Sequence, residues 1–521
     1  YLTRAPMMLH SPGAPYELDT EQELPEDATL FDEVPEATIV ERLRAFFGTK
    51  RWQTPLLLFV MTFFVYGLLS FERIGKPSAD THFVYLANTY NSMISAKLGG
   101  AEAQKRREGK VAFELDRKPP HRNDWASYYE LTMTDGQVVQ GTWAEKPGRG
   151  KFELLDGRLM VLEPKYIDHR KTQQRYFVSF PPMPAVLMMP FAAVRGYAVN
   201  DVLWTLFFAS LNVALLYILL ARLSRGGRSG RSRKENLWLV AFFALSTPHI
   251  WCSIMGQVWF TALVMGITFT LLYVLCSIDA KHPLLAGIFC AMAFSTRTPL
   301  LFASAFFFIF VLFPGGKRLQ KEQLGWAFKK LALFCLPCLA VGISLLVMNK
   351  IRFGSLTEFG HSYLAAGQIP RIKQFGLFHY HFLSMNLSAM FTLLPHLQKT
   401  APYVVISRHG MSLLLTSPAL IYLLWPRPRE NRADRFWHRI LWTTVLVCVV
   451  PGVFYQNTGY EQFGFRFALD YMVYLVMLLA VGRHPITRGF KASVVFGALV
   501  NLFGAVTFKR FQQFYTNRFF P

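Results

Sequence analysis

The sequence predicts an all-α polytopic membrane protein of about eleven transmembrane helices, with a large first external loop that holds juxtamembrane helices and a small inserted β-module. Three observations carry this. Hydrophobic residues fill 52% of the 521 positions while charged residues fill 17%, against about 25% in a soluble domain. Apolar runs close to the roughly twenty residues that a spanning helix needs recur along the chain. The 55 Lys and Arg residues are grouped in short segments between those runs. The formal charge of +22 therefore reads as a membrane-orientation signal and argues against a nucleic-acid partner.

Residues 1–50 are polar, with acids from Glu17 to Glu41 among Pro and Gly, and predict a cytoplasmic, disordered tail. The membrane domain occupies 51–521. No cleavable signal peptide is expected, because the first apolar run starts too far along the chain. Candidate spans are 52–71, 198–221, 237–255, 258–277, 284–296, 299–313, 331–349, 410–425, 437–455, 465–482 and 490–508. The runs 284–296 and 299–313 are short, and read either as two spans meeting at the outer face or as one broken helix.

Four connecting segments, 222–234, 315–330, 427–439 and 482–491, are strongly basic. Placing all four in the cytoplasm puts the N-terminus inside and the C-terminus outside. The chain then crosses its membrane many times. That orientation requires 181–194, which is short and Pro-interrupted, to lie along the outer interface rather than cross. Residues 72–180 become one long external loop. Within it, 110–168 holds two Asp-Gly pairs, Asp135-Gly136 and Asp156-Gly157, each between strand-forming residues. This is a strong hairpin signal and predicts a small antiparallel module.

All six cysteines lie inside apolar runs, so the external loop has no disulfide framework. Cys335 and Cys338 form a CxxC within a span and read as packing residues. Asp80, taken alone, is a solvated loop residue or a helix cap.

Four segments together change the reading of Asp80. They are FERIGKPSADTHFVYLANTY (71–90), RYFVSFPPMPAVLMMPF (175–191), MNKIRFGSLTEFGHSYL (348–364) and GFRFALDYMVYLVMLL (464–479). In this order around the spans, the chain resembles the type C glycosyltransferases, nearest to the bacterial protein O-mannosyltransferases and the aminoarabinose transferases of lipid A. The resemblance runs from about Trp52 to the last span. It implies transfer of a sugar from a polyprenyl-phosphate carrier to an acceptor hydroxyl on a cell-envelope glycan, lipid or protein at the outer face. The family's acid near the start of the first external loop matches Asp80, which becomes the expected catalytic base. Two departures stand out: position 79 is Ala79, and the second external loop, HIWCSIMGQVW, has no acid. A divalent metal is therefore not expected, and no cofactor is assigned.

Such a donor needs cations for its phosphate. The candidates are Arg297, Arg466, Arg352, Arg371 and Lys373, although interfacial arginines also snorkel to lipid headgroups. Asp470, four residues after Arg466, is expected on the same helical face as its partner. His82, Glu358 and His361 are secondary candidates. The aromatic stretch 350–409 is expected to cover an anionic headgroup. Alternatives are a secondary transporter or lipid flippase, a lipid-linked glycan polymerase or ligase, and a non-enzymatic scaffold whose β-module binds an envelope partner.

Overall fold

Long apolar runs without partner strands satisfy their backbone N–H and C=O groups within the segment, as helices. The computed structural model describes residues 48, 51–121, 123–144, 150–364, 369–424, 432–482 and 484–519. The chain divides at Trp52 into two units, and the second holds all of the architecture below. The acidic tail expected over 1–50 lies outside the described residues, Gly48 apart.

The main helices are α1 (Gln53–Leu69), α2 (His82–Lys97), α3 (Met183–Arg195), α4 (Asp201–Arg225), α5 (Arg233–Leu245), α6 (Val258–Ser277), α7 (Pro283–Phe294), α8 (Ala305–Leu312), α9 (Leu324–Phe353), α10 (Arg432–Phe454), α11 (Met472–Val481) and α12 (Arg488–Thr507). Among the described residues, five helical segments are long and apolar enough to cross a membrane; they are centred on α4, α6, α9, α10 and α12. This is the make-up of a helical, multi-pass membrane protein. α6 is buried on nearly every side. α9 instead exposes Leu336 (64%), Leu339 (62%) and Ile343 (59%), a face suited to lipid and poorly suited to water. Several polar groups inside the bundle are paired across helices. Asn212 donates to the Val264 carbonyl at 2.9 Å, Thr205 and Thr261 share a 2.7 Å bond, and Tyr273 donates to the Ala303 carbonyl at 2.9 Å.

The bundle has two distinct ends. At one, the basic segments meet: Arg231 caps the end of α11 through the Leu479 and Ala480 carbonyls, Arg228 pairs with Asp279, and Gly316 lies against Phe436. α4 and α6 end there, and α10 and α12 begin there. The other end carries the segment 72–180 and the candidate site. Between α7 and α8 the chain turns at Ser295–Arg297 and goes on through a 3₁₀ segment, Thr298–Ser304. Two short elements therefore meet at that turn.

Three further expected spans are irregular. Over 237–255 α5 stops at Leu245 and a separate short helix, His249–Ser253, follows. Over 410–425 the chain forms a four-residue helix, Leu413–Thr416, and a 3₁₀ turn, Pro418–Leu423, because Pro418 cannot continue the α-helical ladder. Over 465–482 a 3₁₀ turn, Arg466–Asp470, precedes α11.

The segment 72–180 builds a five-stranded antiparallel sheet of order β4-β3-β2-β1-β5, from β1 (Trp125–Thr132), β2 (Val138–Trp143), β3 (Gly150–Leu154), β4 (Leu159–Leu162) and β5 (Gln173–Val178). The two Asp-Gly turns join β1 to β2 and β3 to β4. Asp135 and Asp156 each accept the backbone N–H two residues on, and Gly136 and Gly157 hold φ of 88° and 85°. The expected boundary of 110–168 misses β5, which pairs with β1 from Trp125↔Val178 to Glu130↔Gln173. No turn signal marks β5, because its partner lies more than forty residues back. Arg175 locks this pairing, buried between Glu114 and Glu130. α3 covers most of the Pro-interrupted segment 181–194 and keeps Pro190 inside a helix.

Candidate functional site

At the end opposite the basic segments, four pieces of chain converge: the lead into α2, the lead into β1, the turn before α6, and the residues after α12. Asp80 sits at this junction and is 3% exposed. Its Oδ1 accepts from Asn123 Nδ2 at 2.9 Å and its Oδ2 from Gln257 Nε2 at 2.7 Å, with His121 Nε2 3.7 Å from Oδ1. Its backbone carbonyl accepts from Val258 N at 3.0 Å. Asp201, the first residue of α4, fixes the same turn by accepting from the backbone of Ser78 at 2.7 Å and of Gln257 at 2.9 Å. Gly256 allows that approach, since a Cβ there would lie 2.8 Å from Val202. Around this junction Asp124, Gln257 and Lys509 hold φ of 52°, 64° and 59°. Left-handed backbone costs energy in side chains such as Gln and Lys, and it clusters at functional sites.

Beside the junction is a cavity of about 240 Å³ whose wall includes Asp124, Trp259, Arg297, His361, Tyr455 and Arg466. Asp80 is not on that wall; Asp124 is. Trp259 Nε1 donates to Asp124 Oδ2 at 2.9 Å. Burial pushes the Asp124 carboxyl above the usual carboxylate range, against the lowering influence of the Trp259 bond and the Arg466 charge.

Arg466 is 4% exposed. Its guanidinium lies over Phe260 at 5.1 Å and Phe467 at 5.7 Å, and Nε is buried without a partner. Among the described residues its guanidinium has no carboxylate and no hydrogen-bond acceptor. Asp470 does not neutralise it: both Asp470 oxygens accept from Arg297, at 2.7 Å each. The expectation of a shared helical face fails because 466–470 is 3₁₀ rather than α-helical, so residues four apart are not aligned. Arg297 lies on the cavity wall, but its charge is matched by Asp470. Gly266 of α6 lies beside the turn that carries Arg297, and a Cβ there would come within 2.8 Å of Leu300 Cδ1.

Of the other candidates, His361 alone lines the cavity. Arg352 is buried, bonded to the Val178 carbonyl and, at 2.7 Å, to Asn349 Oδ1; it joins the end of α9 to the sheet. Arg371 is exposed and reaches the Gln456 carbonyl at 3.4 Å. Lys373 pairs with Glu153 of β3. Glu358 holds a turn by accepting from Gly360 N and Ser362 Oγ. His82 stacks on Trp125 at 3.7 Å, and burial pushes its imidazole down to about 3. His361 does reach the cavity, with Nδ1 buried and unbonded among the described residues. The 350–409 segment lies over the cavity through Phe359, Leu364, Leu377 and Phe378.

Sequence reasoning missed Asp124 and Lys509. Lys509 lies over Trp259, donates to Gln257 Oε1 at 3.1 Å and pairs with Glu461, which also pairs with Arg408. The signal for Asp124 was faint: a lone acid before a strand in HRNDW. Among the described residues no three His, Cys, Asp or Glu side chains are grouped to hold a metal ion. Cys338 donates to the Gly287 carbonyl at 3.4 Å.

No protein-family model matches the chain, and comparison with curated proteins and with solved structures gives no match either.

Proposed function

We propose that this protein is a membrane glycosyltransferase of type C character that moves a sugar from a polyprenyl-phosphate carrier to an acceptor hydroxyl at the outer face of a cytoplasmic membrane. The observation that carries the reading is the Arg466 guanidinium, buried, unpaired and on the wall of a cavity that also holds a carboxylate. A buried charge without a counterion is costly; an anionic phosphate in the cavity removes that cost and gains charge-assisted hydrogen bonds. An apolar groove of about 490 Å³, lined by Met183, Val186, Ile288, Met292, Pro337 and Val341, has Ser295 on its wall, two residues from Arg297. Its size and lining suit a prenyl tail.

In this reading the basic end of the bundle is cytoplasmic, the sheet is external, and the short apolar elements complete about eleven crossings. The acceptor loses its proton to a carboxylate at the junction, and Arg466 stabilises the phosphate as negative charge builds on it. The test is protein in lipid nanodiscs with radiolabelled undecaprenyl-phosphate sugars, each bearing one of mannose, glucose or arabinose, and a lipid and glycan extract as acceptor. Wild-type protein is expected to bind undecaprenyl phosphate and to release or transfer at least one of the sugars. Failure to bind the carrier phosphate would refute the reading.

A further inference from the structure

We propose that Asp124, rather than Asp80, is the catalytic base of this site, and that Asp80 positions it. The proposal rests on the glycosyl-transfer reading above and names the group that receives the proton.

Both Asp80 oxygens are engaged, by Asn123 and Gln257, and the side chain is away from the cavity wall. A base must reach the proton that it takes, either directly or through one water, and Asp80 is walled off by its own partners. Asp124 has the opposite arrangement. Its Oδ2 is held by the Trp259 indole, while Oδ1 has no hydrogen-bond partner among the described residues and the side chain lines the cavity. Arg466, on the same wall, supplies the site for the leaving phosphate. Burial also keeps Asp124 more basic than an ordinary carboxylate, which suits proton abstraction near neutral pH.

The segment carrying Asp124 is fixed against the segment carrying Asp80. Asn123 donates to Asp80, His121 Nε2 lies 2.7 Å from the Ala79 carbonyl, and His82 Nε2 lies 3.0 Å from the Asn123 carbonyl. Asp80 thus sets the backbone on which Asp124 takes its left-handed conformation.

The chemistry balances without another reactant. The acceptor O–H gives its proton to Asp124 Oδ1, and the acceptor oxygen forms a bond to the anomeric carbon. The bond from that carbon to the phosphate oxygen breaks, and its electron pair leaves with the prenyl phosphate, held at Arg466. Release of the carrier and loss of the proton to solvent restore the site.

The experiment compares wild type, Asp124→Asn, Asp124→Glu and Asp80→Asn in nanodiscs. It measures sugar release or transfer from the undecaprenyl-phosphate sugar that wild type uses, and binding of undecaprenyl phosphate alone. Asp124→Asn keeps an acceptor for the Trp259 indole. It is expected to lose about 10²–10⁴-fold in turnover with carrier affinity within about twofold of wild type, which also reports that it is folded. Asp124→Glu is expected to keep partial activity. Asp80→Asn, which still can bond Asn123, is expected to keep more turnover than Asp124→Asn. Wild-type activity together with an Asp124→Asn variant above about a tenth of it would overturn the assignment of the base and leave the transferase reading standing. Wild type that neither binds the carrier nor turns over any donor would overturn both.

Discussion

Arg297 Nε and Nη2 each meet one carboxylate oxygen of Asp470 at 2.7 Å, a bidentate pair that ties the turn after α7 to the 3₁₀ turn before α11. The pair leaves Arg466 uncompensated, and the two arginines should respond differently to removal. Arg297→Ala strands a largely buried carboxylate and is expected to cost about 3–5 kcal/mol of stability. Arg466→Ala removes a charge that has no partner in the protein. It should leave stability unchanged or raised, and weaken undecaprenyl phosphate binding about ten- to a hundredfold. Thermal unfolding and carrier binding, measured side by side, separate the two. Carrier affinity unchanged in Arg466→Ala would remove the phosphate site.

The two ends of the bundle give a labelling test. In a cysteine-free background, Thr134→Cys in the β1–β2 turn and Arg318→Cys before α9 are both exposed positions. A membrane-impermeant thiol reagent added to intact cells is expected to label the first and not the second until the cells are opened. Labelling of Arg318→Cys from outside would invert the orientation and move the site to the cytoplasm.

The sheet has a dispensable part and an indispensable part. β1 and β5 stand between the bundle and the outer strands, and Phe177 packs on Phe353 of α9 with ring centroids 5.6 Å apart. Replacing 133–170 with Asn-Gly should close β1 onto β5 in the existing register, since Glu130 faces Gln173 and the positions two beyond on each strand can take a two-residue turn. Carrier binding and turnover are expected to survive, with acceptor use the property at risk. Removing 110–168 instead deletes Asn123 and Asp124 and should abolish turnover. Equal loss of carrier binding in both deletions would show that the outer strands support the bundle.

These outcomes trace how much was legible in the sequence. Periodic signals were readable: long apolar runs gave the helices, and Asp135-Gly136 and Asp156-Gly157 gave two hairpins. What escaped depends on contacts distant in sequence. Arg297 and Asp470 are 173 residues apart, so the nearby Arg466 looked like the natural partner. Asp80 was conspicuous because it follows a span, whereas Asp124 acquires its place from Asn123, Trp259 and a left-handed backbone that no composition reveals. The spans at 410–425 and 465–482 look continuous in hydropathy, which is blind to the hydrogen-bond pattern that makes a helix α or 3₁₀.

The pH dependence of turnover offers a test in which two variants shift in opposite directions. Asp124 acts as a base only when ionised, and burial raises its pKa, so the acid limb of turnover should lie above the roughly 3.9 of an ordinary aspartate. Trp259 and Arg466 lower that pKa, Asp80 raises it, and Tyr455 and His361 share the cavity wall. Lys509 bears on the group at one remove, through Gln257 and Asp80. Trp259→Phe removes a hydrogen bond to the ionised form, worth about 1.5–3 kcal/mol. With that bond gone, the limb should move to higher pH. Asp80→Asn removes a nearby negative charge, so the same limb should move down. His361 and Asp80 as alternative bases make different forecasts. An imidazole at His361 would lose its base form through a pKa that the loss of the Trp259 bond to Asp124 does not raise. A base at Asp80 itself would lose its limb altogether in Asp80→Asn. Turnover measured at saturating donor from acid to neutral pH distinguishes the three, and an acid limb that Trp259→Phe leaves in place would exclude Asp124.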